Sequence, residues 1–579
     1  MLTDALRDLK AERNVGVRFA DGRGRLNRLS YGELIDRARC FADGLFRQGA
    51  QTGEPVVLVM TNPESAVVAI LGCMIAACPP TPIYPPQNAS AVPGFLRFVK
   101  HVADRSQATL IVADAQPYAF LGKVPHDADT VRGVFRFEMI TSGTSAVEFS
   151  TSYNHPIAFL QFTSGSTSSP KGVLVTHEGL MANLWMIRKA SHMDRKSCVV
   201  TWLPVYHDMG LIGTVLNAIT LPCELVVLPP VAFLKKPRLW LELISEFRGT
   251  HTAAPNFAYG LCNKRVADTS GLDLSTMTTF ICGAEPVLAK TMNAFAQHYK
   301  NAGLHPGALV PAYGLAEATL AVTFSPHMRG LATDHVDFHA LSSESIARTS
   351  NDAKGALVAS CGMPLEGLEL RISSDEGKVL PERHVGEIQI KSPTVTPGYV
   401  GDEQATRDSR TSDGWLHTGD LGYLADGELY PCGRIKDLII IRGKNFHAHD
   451  IETLTSEVPG VRTGNVVAFS AQREEGESLI IIAETREEDK NAEMARSVRA
   501  HIAESIGIAP DEVAIVPAGT LPKTSSGKLK RMETRRLFEA GLLHSKPGKL
   551  AVWQAALESG LGFLKSATTE TRSHRARKF

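Results

Sequence analysis

Phe162-Thr163-Ser164-Gly165-Ser166-Thr167-Ser168-Ser169-Pro170-Lys171-Gly172 follows an apolar, strand-like run from Ile157 to Phe162. Hydroxyls, glycines and one lysine converge where a strand ends, a composition suited to holding a phosphate chain. Glycine lets backbone N–H groups turn inward, Ser and Thr hydroxyls donate further hydrogen bonds, and Lys171 brings positive charge to polyphosphate oxygens. The spacing is not that of a Walker A loop, which has four residues between its glycine and a Gly-Lys-Ser/Thr end. Here Gly165 is followed by five residues and then Lys-Gly. The competing reading is a flexible Ser/Thr/Gly surface loop, and the rest of the chain decides between the two.

Outward from this loop, apolar runs alternate between strand and helix patterns. Ser30 with Glu33 reads as a capping box, and Leu34, Ile35, Ala38, Phe41, Ala42, Leu45 and Phe46 recur at helical spacing before Gly49. Val56 to Met60 and Thr109 to Ala113 read as strands and Ala66 to Cys78 as a buried helix; Val173 to Thr176 and Glu178 to Ala190 repeat the rhythm. Such alternation predicts an α/β fold with parallel layers. From Glu369 to Tyr430 shorter strands between Gly, Pro and Asp turns predict a small β-rich subdomain. Beyond Lys436 the pattern resets. Leu438 to Ile441, Val466 to Ser470, Leu479 to Ala483 and Val513 to Val516 read as strands, with a helix from Ala492 to Ile506. The predicted organisation is a large α/β domain over 1–435, a small mobile α+β domain over 436–550, and an extension over 551–579.

A chain of 579 residues exceeds one core. Its 61 Lys and Arg balance 61 Asp and Glu, so no global field draws it to nucleic acid or an anionic membrane. The nine cysteines form no C-x-x-C pair, which argues against a disulfide framework or structural zinc and fits a reducing cytoplasm. Met1 to Val15 lacks the apolar core of a secretory signal. The apolar runs Ala66 to Cys78 and Leu211 to Leu234 are interrupted by prolines or charge, and no transmembrane segment is expected. The basic tail Thr571 to Phe579 reads as disordered and solvated.

Further motifs follow the loop in order: Gly283-Ala284-Glu285-Pro286, Ala312-Tyr313-Gly314-Leu315-Ala316-Glu317, Trp415-Leu416-His417-Thr418-Gly419-Asp420, Gly433-Arg434-Ile435-Lys436-Asp437, and Leu521-Pro522-Lys523-Thr524-Ser525-Ser526-Gly527-Lys528. The set resembles the adenylate-forming superfamily of acyl-CoA synthetases, peptide-synthetase adenylation domains and luciferases. The resemblance implies ATP and Mg2+ as cofactors. It assigns Thr163, Ser164, Gly165, Ser166, Thr167 and Lys171 to the phosphates, and Gly283, Ala284, Glu285 and Pro286 to an adenine-contacting turn. Within Ala312 to Ala316, Tyr313 would stack on adenine. Glu317 would meet magnesium, Asp420 and Arg434 the ribose, and Lys436 would be an interdomain hinge. Lys528 would bridge a substrate carboxylate and the α-phosphate. Ser168 stands where many relatives have glycine and Ala316 where many have threonine, which leaves Glu317 more solely responsible for the metal.

Trp202-Leu203-Pro204-Val205-Tyr206-His207-Asp208-Met209-Gly210-Leu211, Ala254 to Tyr259, Val358 to Pro364 and Lys436 to Asn445 look most like the fatty acyl-AMP ligases within that superfamily. In that family His207 would lie beside the acyl carboxylate; the alternative is a core histidine hydrogen-bonded near the turn at Pro204. Met209 and Phe257 would line an acyl tunnel or else be ordinary core. The family implies activation of a fatty acid to acyl-AMP, then transfer to the phosphopantetheine arm of an acyl carrier protein, with little use of free CoA. The segment Arg329 to Lys354 is the candidate for the insertion that favours this acceptor, pinned onto the N-terminal domain by Leu331, Val336 and Phe338. The alternatives are an acyl-CoA synthetase and a catalytically inactive nucleotide-bound regulator; retention of Lys528, Glu317 and Lys171 argues against the second.

Overall fold

The computed structural model describes residues 2–86, 92–121, 130–143, 155–163, 170–351, 355–441, 444–473, 476–523 and 528–543. Its largest sheet has nine strands, and the six at its centre are Leu309–Gly314, Thr279–Cys282, His251–Ala254, Cys198–Thr201, Glu224–Val227 and Gly16–Ala20. These six pair in parallel, and antiparallel strands close both edges. Parallel pairing buries both faces, which is why Cys198–Thr201 and Thr279–Cys282 are buried at every position. Trp240, Tyr259, Phe280 and Phe295 fill the layer between sheet and helices with edge-to-face ring contacts.

A second parallel sheet holds Pro80–Pro82, Val56–Val59, Leu110–Ala113 and Gly133–Arg136. The capping box at Ser30 and Glu33 opens the helix Tyr31–Arg47, which packs on Pro63–Ile75 as the apolar periodicity predicts. The phosphate-loop neighbourhood departs from the parallel rhythm. Ile157–Phe162 and Gly172–Thr176 pair antiparallel, so the loop connects two strands of one hairpin, and the helix His177–Ser191 follows the second strand. Residues 164–169, with Ser164, Gly165, Ser166 and Thr167 among them, lie outside the described residues.

The short strands after Glu369 form the expected four-stranded antiparallel sheet of Glu369–Ser373, Gly386–Lys391, Leu416–Ala425 and Glu428–Arg434. After the turn Ile435–Asp437, the strands Val461–Arg473, Gly476–Thr485 and Glu512–Pro517 with the helix Asn491–Ile506 enclose a separate core. The polar segment after Arg329 is structured over its described residues 329–351, and residues 352–354 of the candidate insertion lie outside the described residues. Thr333–Val336 pairs with Ala356–Ala359, and Leu331 packs on the core of the large sheet while Val336 is buried beside Tyr423 and Tyr430. Phe338 corrects the expectation. It lies two residues past the end of the strand Thr333–Val336 and packs against the core of Ile439, Ile441 and Phe446 beyond the turn. The tail over 551–579 lies outside the described residues, and no described helix is long and apolar enough to cross a membrane.

His251, in the centre of the large sheet, gives a pH test of this packing. Its Nε2–H donates to the Ser191 carbonyl at 3.0 Å, Nδ1 lies 2.8 Å from the Thr250 hydroxyl, and burial lowers its pKa to about 4. An unfolded histidine titrates near 6.5 and binds a proton first, so folding stability is lost as pH falls from about 6.5 to about 4. The predicted loss from this group is about 3 kcal/mol. In His251→Gln that acid limb should flatten by this amount in denaturant titrations at pH 7 and pH 4; an unchanged limb refutes the assignment.

Candidate functional site

The central strands run the same way, so the loops that leave their C-terminal ends gather along one edge, where open α/β sheets place their ligands. His207 follows Cys198–Thr201, Asn256 and Phe257 follow His251–Ala254, Gly283 to Pro286 follow Thr279–Cys282, and Tyr313 to Glu317 end Leu309–Gly314 and begin the next turn. Close backbone approach explains the glycine of the last motif. A Cβ on Gly314 would lie 2.0 Å from the Leu320 carbonyl oxygen, the group to which Leu315 N–H donates at 2.9 Å. Ala284 holds φ at +66°, turning the chain after Gly283, which lies against Ala312. The side chain of Glu285 accepts the Phe257 N–H at 2.6 Å, and Pro286 is exposed.

Asp420 is buried and doubly bonded. The Tyr313 hydroxyl donates to Oδ2 at 2.7 Å, and Arg434 Nε meets Oδ1 at 2.9 Å. Burial pushes the Asp420 carboxyl above its usual pKa, and Arg434 and Tyr313 oppose that push. Lys528 completes the cluster from the other side of the turn Ile435–Asp437. The protein packed around it desolvates its ammonium and the Arg434 charge repels it, which holds its pKa below the ordinary lysine value, while Asp208, Glu285 and Asp420 attract it. His207 Nδ1 lies 2.7 Å from Asp208 Oδ1, and its backbone N–H donates to Pro204 O, so it both forms the turn and faces the cluster. Burial raises the Asp208 carboxyl, yet the neighbouring His207 and Lys528 hold it below the usual carboxylate range.

The Lys528 segment is fixed at its base. Lys530 N–H donates to Pro522 O at 2.9 Å, and Arg531 forks onto Glu452 at 2.8 and 3.0 Å while also pairing with Asp437. Lys436 is exposed in the turn between strands Glu428–Arg434 and Leu438–Ile441. Across the site, Thr163 N–H donates to Lys171 O at 3.0 Å, closing the base of the hairpin. Glu317 accepts from the Tyr399 hydroxyl at 3.0 Å, and Lys171 Nζ sits 4.5 Å from the centre of the Tyr399 ring. A lone carboxylate such as Glu317 suits magnesium, which takes most of its ligands from phosphates and water. No group of three or more His, Cys, Asp or Glu able to hold an ion occurs among the described residues. Met209 and Phe257 pack in the core beside Trp202, which is the ordinary-core reading of both. Asp208 and Tyr399 escaped the motif reading, although Asp208 lies inside a quoted stretch.

Residues 9–400 match the model of the AMP-binding enzyme family. The chain belongs to that family. It is 32% identical to a putative acyl-CoA synthetase of Caulobacter vibrioides, over 93% of this chain and 95% of that one. It is also 32% identical to the medium-chain-fatty-acid acyl-carrier-protein ligase JamA of Moorena producens, over 92% and 93%. Among solved structures, one from a study of fatty acyl-adenylate ligases of E. coli and L. pneumophila superposes with a TM-score of 0.88 at 32% identity, covering 93% of this chain and 98% of that one. The protein is therefore an ATP-dependent adenylating ligase with the α/β architecture of the adenylate-forming enzymes.

A cluster with two cations and several carboxylates at the C-terminal edge of the sheet can bring two anions together and stabilise the charge that develops between them. Tyr313→Phe removes one donor from a buried carboxylate while keeping the ring. ATP binding should weaken about tenfold by calorimetry, the effect of one charge-assisted hydrogen bond; unchanged affinity would separate Asp420 from the nucleotide.

Proposed function

We propose that the protein activates a fatty acid and passes it to an acyl carrier protein. A carboxylate oxygen attacks the α-phosphate of ATP, the bond to pyrophosphate breaks, and acyl-AMP forms. The phosphopantetheine thiol then loses its proton, its sulfur attacks the acyl carbon, and AMP leaves. The carboxylate is already ionised at pH 7, so the first step needs positive charge rather than a general base. The observation that carries the proposal is the buried Asp420 carboxylate, bonded by the Tyr313 hydroxyl at 2.7 Å and Arg434 at 2.9 Å, with the half-buried Lys528 attracted by the same carboxylate and by Asp208 and Glu285. Lys528 would bridge carboxylate and α-phosphate beside His207. The hairpin loop around Thr163 to Thr167 with Lys171 would hold the β- and γ-phosphates, Tyr313 and the turn Gly283 to Pro286 the adenine, and Asp420 with Arg434 the ribose. Glu317 is the residue that would hold magnesium, which when bound neutralises phosphate charge.

One further observation supports the finer reading. Phe338 joins the segment after Arg329 to the core beyond Ile435–Asp437. We place a domain boundary at 435/436 with Lys436 as its pivot, and read Phe338 as a restraint on the C-terminal domain that disfavours free CoA. The name of the Caulobacter relative supports the second reading, an acyl-CoA synthetase.

In Lys528→Ala, ATP binding should persist while acyl-AMP formation falls by about two to three orders of magnitude. Pyrophosphate release at the parent rate would remove Lys528 from this role. Phe338→Ala should leave adenylation intact and raise acyl-CoA yield relative to acyl-carrier yield, read by mass spectrometry. Efficient CoA ligation by the parent, or no gain in the variant, would favour the acyl-CoA synthetase.

A further inference from the structure

Tyr399 stands between two groups of opposite charge that come from distant parts of the chain. Its segment docks along the phosphate-loop hairpin through a single antiparallel bridge and two flanking backbone hydrogen bonds. Val400 N–H donates to Gly172 O at 2.8 Å, Leu174 N–H donates to Gly398 O at 3.1 Å, and Tyr399 bridges Val173 antiparallel. The same segment reaches the Glu317 turn, because Thr396 N–H donates to the Glu317 carbonyl at 2.7 Å. The approach leaves no room for a side chain on the residue after Lys171. A Cβ on Gly172 would meet Val400 Cγ1 at 2.6 Å and Phe162 Cζ at 2.7 Å.

Within that frame the Tyr399 side chain is 9% exposed and touches both charges with different parts of itself. Its hydroxyl donates to Glu317 Oε1 at 3.0 Å, and its ring face receives Lys171 Nζ at 4.5 Å from the centroid. A ring face attracts an ammonium without cancelling its charge, unlike a carboxylate in an ion pair. The phenol also fixes the Glu317 carboxylate in one orientation. We propose that Tyr399 is a positioning residue that aims Lys171 and Glu317 at the triphosphate and its metal while keeping the two from neutralising each other. The inference rests on the nucleotide-site reading above and adds to it a residue that no motif assigned.

Two variants separate the two contacts. Tyr399→Phe keeps the ring and removes the bond to Glu317, and Tyr399→Leu removes both. ATP affinity is measured by calorimetry on the full chain, once in EDTA and once with MgCl2, beside the thermal unfolding midpoint. Tyr399→Phe should bind ATP in EDTA within twofold of the parent but lose about tenfold of the gain that Mg2+ confers, the effect of one hydrogen bond to a charged group. Tyr399→Leu should lose that gain and, in addition, bind ATP in EDTA about threefold to tenfold more weakly. A Mg2+-linked gain equal to the parent's in Tyr399→Phe overturns the proposal, whatever happens to Tyr399→Leu. So does a loss in both conditions that merely tracks a lowered unfolding midpoint, since that describes a core tyrosine. A parent that does not bind ATP in either condition would instead refute the nucleotide-site reading, and this inference with it.

Discussion

The charge on Lys528 is the constraint on which the site depends. A half-buried ammonium is costly unless opposite charge surrounds it, and here the compensation comes from Asp208 and Glu285, which follow strands of the large sheet, and from Asp420 on the strand Leu416–Ala425 of the four-stranded sheet. Asp420 is itself acceptable in the interior because Tyr313 and Arg434 bond to it. Each charge in the cluster thus offsets its neighbour, and the cluster is assembled only when the segment beyond Ile435–Asp437 lies against the strand ends. Arg531 carries the same logic back into that segment, where its fork onto Glu452 and Asp437 ties the base of the Lys528 segment to the residue following Lys436.

A similar economy holds on the phosphate side. The segment Thr396 to Val400 bonds to the second strand of the hairpin bearing the loop through one bridge and two flanking hydrogen bonds, and its Thr396 N–H also holds the Glu317 turn. Lysine, carboxylate and tyrosine are placed by backbone hydrogen bonds among three segments far apart in sequence. The segment after Arg329 makes a corresponding link between cores: Leu331 and Val336 belong to cores before the turn Ile435–Asp437 and Phe338 packs on the one after it.

The sequence was most legible where local chemistry decides structure. The capping box at Ser30 and Glu33, the apolar alternation of strands and helices, and the turn-rich stretch after Glu369 each gave the element that forms, because spacing and caps are local properties. Pairing was less legible. The strands flanking the phosphate loop read as part of a parallel layer, yet they form an antiparallel hairpin, since a strand's partner depends on contacts its own residues do not encode. Side-chain destinations were hidden for the same reason. Phe338 was expected on the N-terminal side and packs on the other core, and Met209 and Phe257 fill the core beside Trp202. Tyr399 carries no motif, because its importance lies in what packing brings to its ring and hydroxyl.

The most direct measurement of the central claim is the fate of carboxylate oxygen. A fatty acid labelled with 18O in both carboxylate oxygens is turned over with ATP and a phosphopantetheinylated carrier protein, and the AMP is weighed by mass spectrometry. Attack of the carboxylate on the α-phosphate predicts AMP carrying one 18O, with unlabelled pyrophosphate. AMP free of label alongside acylated carrier would contradict the account.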